Sequence, residues 1–144
     1  MYTPQFIING TSEFAGYNET ALYEKVSNAL ETKTTADLNL TAKTNNDSLE
    51  INYTTNLLQK DINLVVATIQ KQAISKVFRG ENQGATLQHV QIVKQLNSFQ
   101  LTNKEGNIKI VQPENFNSKD FEIIGFIQDS RTGKISITKK AEKI

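Results

Sequence analysis

With 144 residues, 38% hydrophobic and 22% charged, the chain has an ordinary globular composition and enough length to bury a core of its own. A formal net charge of +1 without a basic stripe argues against a nucleic-acid binder that works by counterion release. The absence of cysteine and a single histidine exclude disulfides, thiolate chemistry and a multi-histidine metal site within these residues, and no apolar run reaches the roughly eighteen residues of a membrane span.

In chain order, Thr3-Pro4-Gln5 leads into Phe6-Ile7-Ile8, a short continuous apolar run predicted as a strand buried on both faces. Asn9-Gly10 is a strong hairpin signal, and Ser12 to Tyr17 supplies the returning strand. Asn18 then caps a helix with Glu19 in its first turn, and Leu22, Val26, Ala29 and Leu30 fall on one face. Lys33-Thr34-Thr35 breaks that pattern near Thr32, and a domain boundary is placed there.

From Ala36 the period becomes two. Leu38, Leu40 and Ala42, the polar turn Thr44 to Asp47, and Leu49, Ile51 and Tyr53 make a half-buried hairpin. Ile62 to Val77 is richer in apolar residues and suits a strand near a sheet centre; the loop Arg79 to Gly84 follows, punctuated by two glycines. Leu87 to Leu96 fits either a three-residue repeat or a strand, and strand is preferred because its neighbours are extended. Ile108 to Val111 is a short strand stopped by Pro113, and Phe121 to Gln128 is another. A turn at Asp129 to Gly133 then opens the alternating segment Lys134 to Lys140, and the locally basic tail Lys134 to Lys143 reads as a solvated strand face.

Three stretches carry a family resemblance: Tyr2 to Gly10, Arg79 to Val90, and Gly125 to Asp129 with Thr132-Gly133 after it. They resemble a bacterial family of secreted proteins of unknown function, in which a thioredoxin-like domain precedes a β-rich domain. A β-rich module of similar layout occurs in outer-membrane lipoproteins of Bacteroidetes. The resemblance covers most of the chain, as the later part of such a protein. It implies an extracytoplasmic (periplasmic or secreted) location, with any signal peptide upstream of this chain. It also implies that the cysteine-bearing half of the thioredoxin fold would lie upstream. Strand, turn, strand and helix entered through Thr-Pro look like the C-terminal half of that fold.

The expected fold is therefore mostly β. An antiparallel immunoglobulin-like β-sandwich over residues 35–144 is preceded by a β-β-α remnant of a thioredoxin-like fold over residues 1–34. Thr3 and Pro4 are substrate-binding candidates by resemblance, since a cis-proline step faces the active cysteines in thioredoxin folds. In this chain a trans bond is predicted. His89 is read either as an acid–base group or as a strand histidine bonded to a neighbour; the second is preferred. Arg79, Glu81 and Asn82 form either a ligand loop or an internal ion pair and turn that fixes a strand crossing, again with the second preferred. The acids Glu13 and Glu19, or Asp120 and Glu122, lack the spacing of glycosidase carboxylates. No catalytic residue, metal ligand or cofactor is assigned.

Three functions are carried forward: first a non-catalytic accessory or interaction domain of a secreted bacterial protein, then the C-terminal part of a thiol-disulfide oxidoreductase with its cysteines upstream, and last a sandwich that binds a ligand at the Arg79 to Asn82 loop. A half-fold exposes strand edges, so residues 1–34 are expected to pack on the sandwich, pair with a protein partner or self-associate.

Overall fold

A computed structural model describes residues 2–143; Met1 and Ile144, the outer ends of the two expected segments, lie outside the described residues. The chain is mostly β, with antiparallel sheets. Strand β1 (Gln5–Ile8), β2 (Ser12–Ala15) and helix α1 (Glu19–Glu31) come first. They are followed by β3 (Leu38–Asn45), β4 (Ser48–Thr55), β5 (Ile62–Lys76), β6 (Thr86–Gln100), β7 (Glu105–Val111), β8 (Phe121–Asp129), β9 (Ile135–Lys140) and β10 (Glu142–Lys143).

Two four-stranded sheets share one core, in the orders β10-β3-β4-β7 and β6-β5-β8-β9. Alternation along β3 and β4 sends Leu38, Leu40, Ala42, Leu49 and Ile51 inward, where they meet Ile62, Leu64 and Val66 of β5 and Ile123 and Ile127 of β8. Each fully buried aliphatic side chain of this set stabilises the fold by about 1.5–3 kcal/mol relative to exposure. Gly125 shows how closely the sheets approach, because a Cβ there would lie 2.4 Å from Leu40 Cδ1. Pairing is antiparallel except at the edge, where β10 runs parallel to β3. That two-residue strand carries no periodic signal of its own and is set by the return of the chain past Ala141, which is buried in the core.

Strand β5 has two different halves. From Ile62 to Gln70 it lies between β6 and β8, so its side chains are covered as expected of a central strand. Beyond Gln70 it has only β6 beside it, and the pair continues to Lys76–Thr86 as a two-stranded ribbon about 20 Å long. The stretch Leu87 to Leu96 lies within β6 and is strand, as preferred.

The opening hairpin is a separate two-stranded sheet. Asn9 (φ 49°) and Gly10 (φ 78°) occupy the left-handed region at the centre of the turn Ile8 to Thr11, which Thr11 N closes on Ile8 O at 3.2 Å. Phe6 pairs with Phe14 across the strands with ring centroids 5.4 Å apart, and the Lys25 ammonium sits 5.9 Å above the Phe14 ring. Asn18 caps α1 by accepting from Ala21 N at 3.1 Å, and the helix ends at Thr32.

Two expectations are corrected. Strand β1 is not buried on both faces: Phe6 is 42% and Ile7 58% exposed, because β2 and α1 supply one neighbouring strand and one covering layer. Leu30 does not join the packed face of α1; it is 80% exposed at the last turn, past the end of the short hairpin.

Candidate functional site

The residues singled out from the sequence fall at two ends of the molecule. Thr3 and Pro4 are exposed at the entrance to β1. The Thr3–Pro4 peptide bond is cis, against the predicted trans bond. Tertiary contact holds this segment: Gly16 N donates to Pro4 O at 2.8 Å, and a Cβ on Gly16 would lie 2.7 Å from Pro4 Cβ, so the chain closes only over a glycine.

The hairpin itself is moored to the second sheet at its turn. Asn9 O accepts from Ile135 N at 3.0 Å, and Gly10 and Gly133, both in the left-handed region, stack backbone on backbone. A Cβ on Gly10 would lie 2.0 Å from Gly133 O. The β8–β9 turn that receives it is built by Asp129, whose carboxylate accepts from Arg131 N at 2.8 Å and Thr132 N at 3.1 Å. Those two backbone donors hold the Asp129 carboxyl below its ordinary range.

Arg79, Glu81 and Asn82 lie at the tip of the β5–β6 ribbon, the opposite end of β5 from the strand end that meets the β8–β9 turn. The tip is a hairpin turn, not a crossing between strands. It closes through Gly84 N to Val77 O at 2.7 Å and Val77 N to Ala85 O at 2.9 Å. Among the described residues Arg79 and Glu81 form no ion pair, so the turn is held by backbone bonds and by the positive φ of Gly80 and Gly84. His89 lies on β6, and its Nε2 is 2.7 Å from Ser75 Oγ on β5. This is a cross-strand tie on an exposed ribbon, with the donor set by the imidazole tautomer. The topology therefore does not bring Thr3 and Pro4 together with the 79–89 group.

A charged group that sequence spacing did not indicate is centred on Glu122, which the sequence weighed only as a partner of Asp120. Its side chain is 9% exposed on the outer face of β8 and accepts from Lys140 Nζ of β9 at 2.9 Å. The Lys140 bond, helped by Gln91 and by Lys71, outweighs burial and holds the Glu122 carboxyl below its ordinary value. Nearby, Lys143 Nζ donates to the carbonyls of Ser118 and Phe121, and Lys71 Nζ donates to Lys119 O at 3.1 Å. Burial pushes the Lys143 ammonium below its usual range, with Lys71 and Lys140 adding to the effect. These lysines hold the 118–121 segment in place. The register of β5, β8 and β9 and the return of the chain into β10 bring them together, so spacing in the sequence carried no signal for it. Among the described residues no group of three or more His, Asp or Glu side chains is placed to hold a metal ion, and no helix is long and apolar enough to cross a membrane.

Comparison with known proteins adds a family and a fold. Residues 1–128 match the family described as protein of unknown function (DUF1223). No curated protein matches the chain. Among solved structures, a protein from Agrobacterium tumefaciens determined by a structural genomics consortium superposes with a TM-score of 0.62 at 16% identity, over 99% of this chain and 62% of that one. This chain therefore spans less than two thirds of that protein. A domain of the outer membrane lipoprotein Omp28 from Porphyromonas gingivalis aligns over 78% of this chain and 90% of that one, with a TM-score of 0.45 and 11% identity.

Proposed function

Because the chain belongs to the DUF1223 family, whose function is unknown, we propose that it is a non-catalytic accessory or interaction domain of an extracytoplasmic bacterial protein. In this reading residues 2–34 are the contact-making part and residues 35–143 the scaffold. The observation that carries it is the poor coverage of the hairpin and helix. Phe14 is the only hydrophobic side chain buried there among the described residues, while Phe6, Ile7, Tyr17, Tyr23 and Leu30 are all exposed. So many exposed apolar side chains on so small a unit favour a contact role, because water contact with them is costly and a partner removes it.

The test has two arms. Sedimentation and amide line widths at rising concentration should show reversible association centred on residues 6, 7, 17, 23 and 30, abolished by Ile7→Ser combined with Tyr23→Ser. Assays of the purified chain on disulfide, ester and glycoside substrates should read at the buffer rate. Turnover that survives repurification and falls on substitution of His89 would overturn the non-catalytic reading.

A second reading makes the chain the C-terminal part of a thiol-disulfide oxidoreductase, with Thr3 and Pro4 lining a substrate groove and the redox cysteines supplied by residues upstream. The order strand, strand, helix and the exposure of Thr3 and Pro4 favour it. Adding a segment with a Cys-x-x-Cys motif ahead of Tyr2 and following reduction of insulin would decide the matter. Activity that depends on both cysteines and falls when Thr3 is enlarged supports this second reading.

A further inference from the structure

Strand β9 is the outer strand of its sheet, and one of its edges carries an open backbone position. Ala141 N donates to Ile123 O at 2.8 Å, and the register then places Gly125–Lys139 and Ile127–Ile137 as the bonded pairs. Thr138, opposite Phe126, alternates with them, so its N–H and C=O point off the sheet. Ile135 N, which points the same way, is already taken by Asn9 O. The edge is therefore closed at Ile135 and open at Thr138.

Along this edge runs a cleft of about 440 Å³. One wall is the consecutive run Lys134 to Thr138, about 16 Å of extended chain. The end of α1 with Lys33 and Thr34 also lines it, as does the Asn9 turn, which is bonded to Ile135 N. Two lysines, Lys33 and Lys134, line the cleft, and no carboxylate does. Neither lysine enters an ion pair among the described residues.

We propose that this cleft receives an extended acidic segment of a partner protein, which adds to β9 as a fifth strand of its sheet. Its main chain pairs with the N–H and C=O of Thr138, and its carboxylates meet Lys33 and Lys134. The hydroxyls of Thr34 and Ser136 serve its remaining polar groups. Lysine at a sheet edge ordinarily keeps other strands away. Here the same charges discriminate: a basic strand is repelled, and an acidic one gains attraction on top of its backbone bonds. The site lies on the junction between hairpin and second sheet and does not depend on the exposed apolar residues invoked above.

The test titrates the chain with an eight-residue peptide alternating glutamate and valine, a matching peptide with lysine for glutamate, and inorganic phosphate. The acidic peptide should shift the amides of residues 33–34 and 134–140 and slow exchange of the Thr138 N–H. The other two probes should do neither. Thr138→Pro removes an N–H that the ladder does not use, so it should abolish peptide binding while leaving the melting temperature unchanged. Lys33→Gln and Lys134→Gln, which leave the backbone alone, should each weaken the peptide about three- to fivefold. The proposal is overturned if phosphate shifts the same amides as strongly, if the lysine peptide binds as well, if both lysine variants bind unchanged, or if the acidic peptide does not bind at millimolar concentration.

Discussion

Two hairpins in this molecule start from the same local chemistry and end differently. Both β1–β2 and β3–β4 turn tightly with an asparagine in the left-handed region, Asn9 in a three-residue loop and Asn46 in a two-residue one. Both carry apolar residues on their strands. In β3–β4 these side chains vanish from solvent: Leu38 and Ile51 are 0% exposed. In β1–β2, Phe6 and Ile7 remain 42% and 58% exposed. The turn is a local matter of backbone angles, whereas burial depends on what is laid over the strands. A second four-stranded sheet covers β3–β4, but one helix without a buried residue covers β1–β2. The β3–β4 hairpin belongs to the stable scaffold, and β1–β2 is available for contact.

The sharpest way to break this contrast is to truncate one aliphatic side chain in each hairpin. Ile51→Ala, at a fully buried site, should cost about 2–5 kcal/mol, whereas Ile7→Ala should stay within about 0.5 kcal/mol. Urea unfolding of both variants gives the comparison, and equal costs would mean the hairpins are equally integrated.

The next effect concerns the mooring between the two regions. Gly10→Ala places a methyl group against Gly133 O in a backbone conformation that disfavours it, at a cost of about 1–3 kcal/mol. The strain should be relieved by detaching the hairpin. Exchange of the Ile135 amide should then accelerate while core amides of β5 stay protected; uniform acceleration would show that hairpin and scaffold unfold as one unit.

The smallest effect is electrostatic and confined to the scaffold. The Glu122 carboxyl is held below its ordinary value in the folded chain, chiefly by Lys140. Its contribution is therefore full above the unfolded carboxylate range and is lost as pH falls through the folded value. With Lys140 largely exposed, the pair is worth about 1 kcal/mol or less. Glu122→Gln should flatten the acid side of the stability curve by that amount and leave the Ile135 amide unaffected.

Several features were legible because they are local. Asn9-Gly10 specifies its turn through φ, Asn18 marks the helix start by its side-chain acceptor, and the alternation of Leu38, Leu40 and Ala42 against Leu49 and Ile51 sets a hairpin register. Others were not. Gly16 against Pro4, and Lys140 on Glu122, join residues whose spacing in the chain means nothing until strands are paired. The continuous run Phe6-Ile7-Ile8 predicted burial because apolar residues prefer it, but preference does not supply a covering layer.

By itself, then, the sequence determined a mostly-β chain, its turns, the helix with its cap, and the inward faces of β3 and β4, since each depends on backbone angles or a repeat read over a few residues. Only the tertiary structure decided which strands became edges, that β5 outruns β8 into a free ribbon, and that Lys33 and Lys134 line one cleft with Thr138. The physical reason is range. Dihedral preference and periodicity act between neighbours, whereas edges, coverage and charge clusters come from packing between segments far apart in the chain, as Asn9 and Ile135 are.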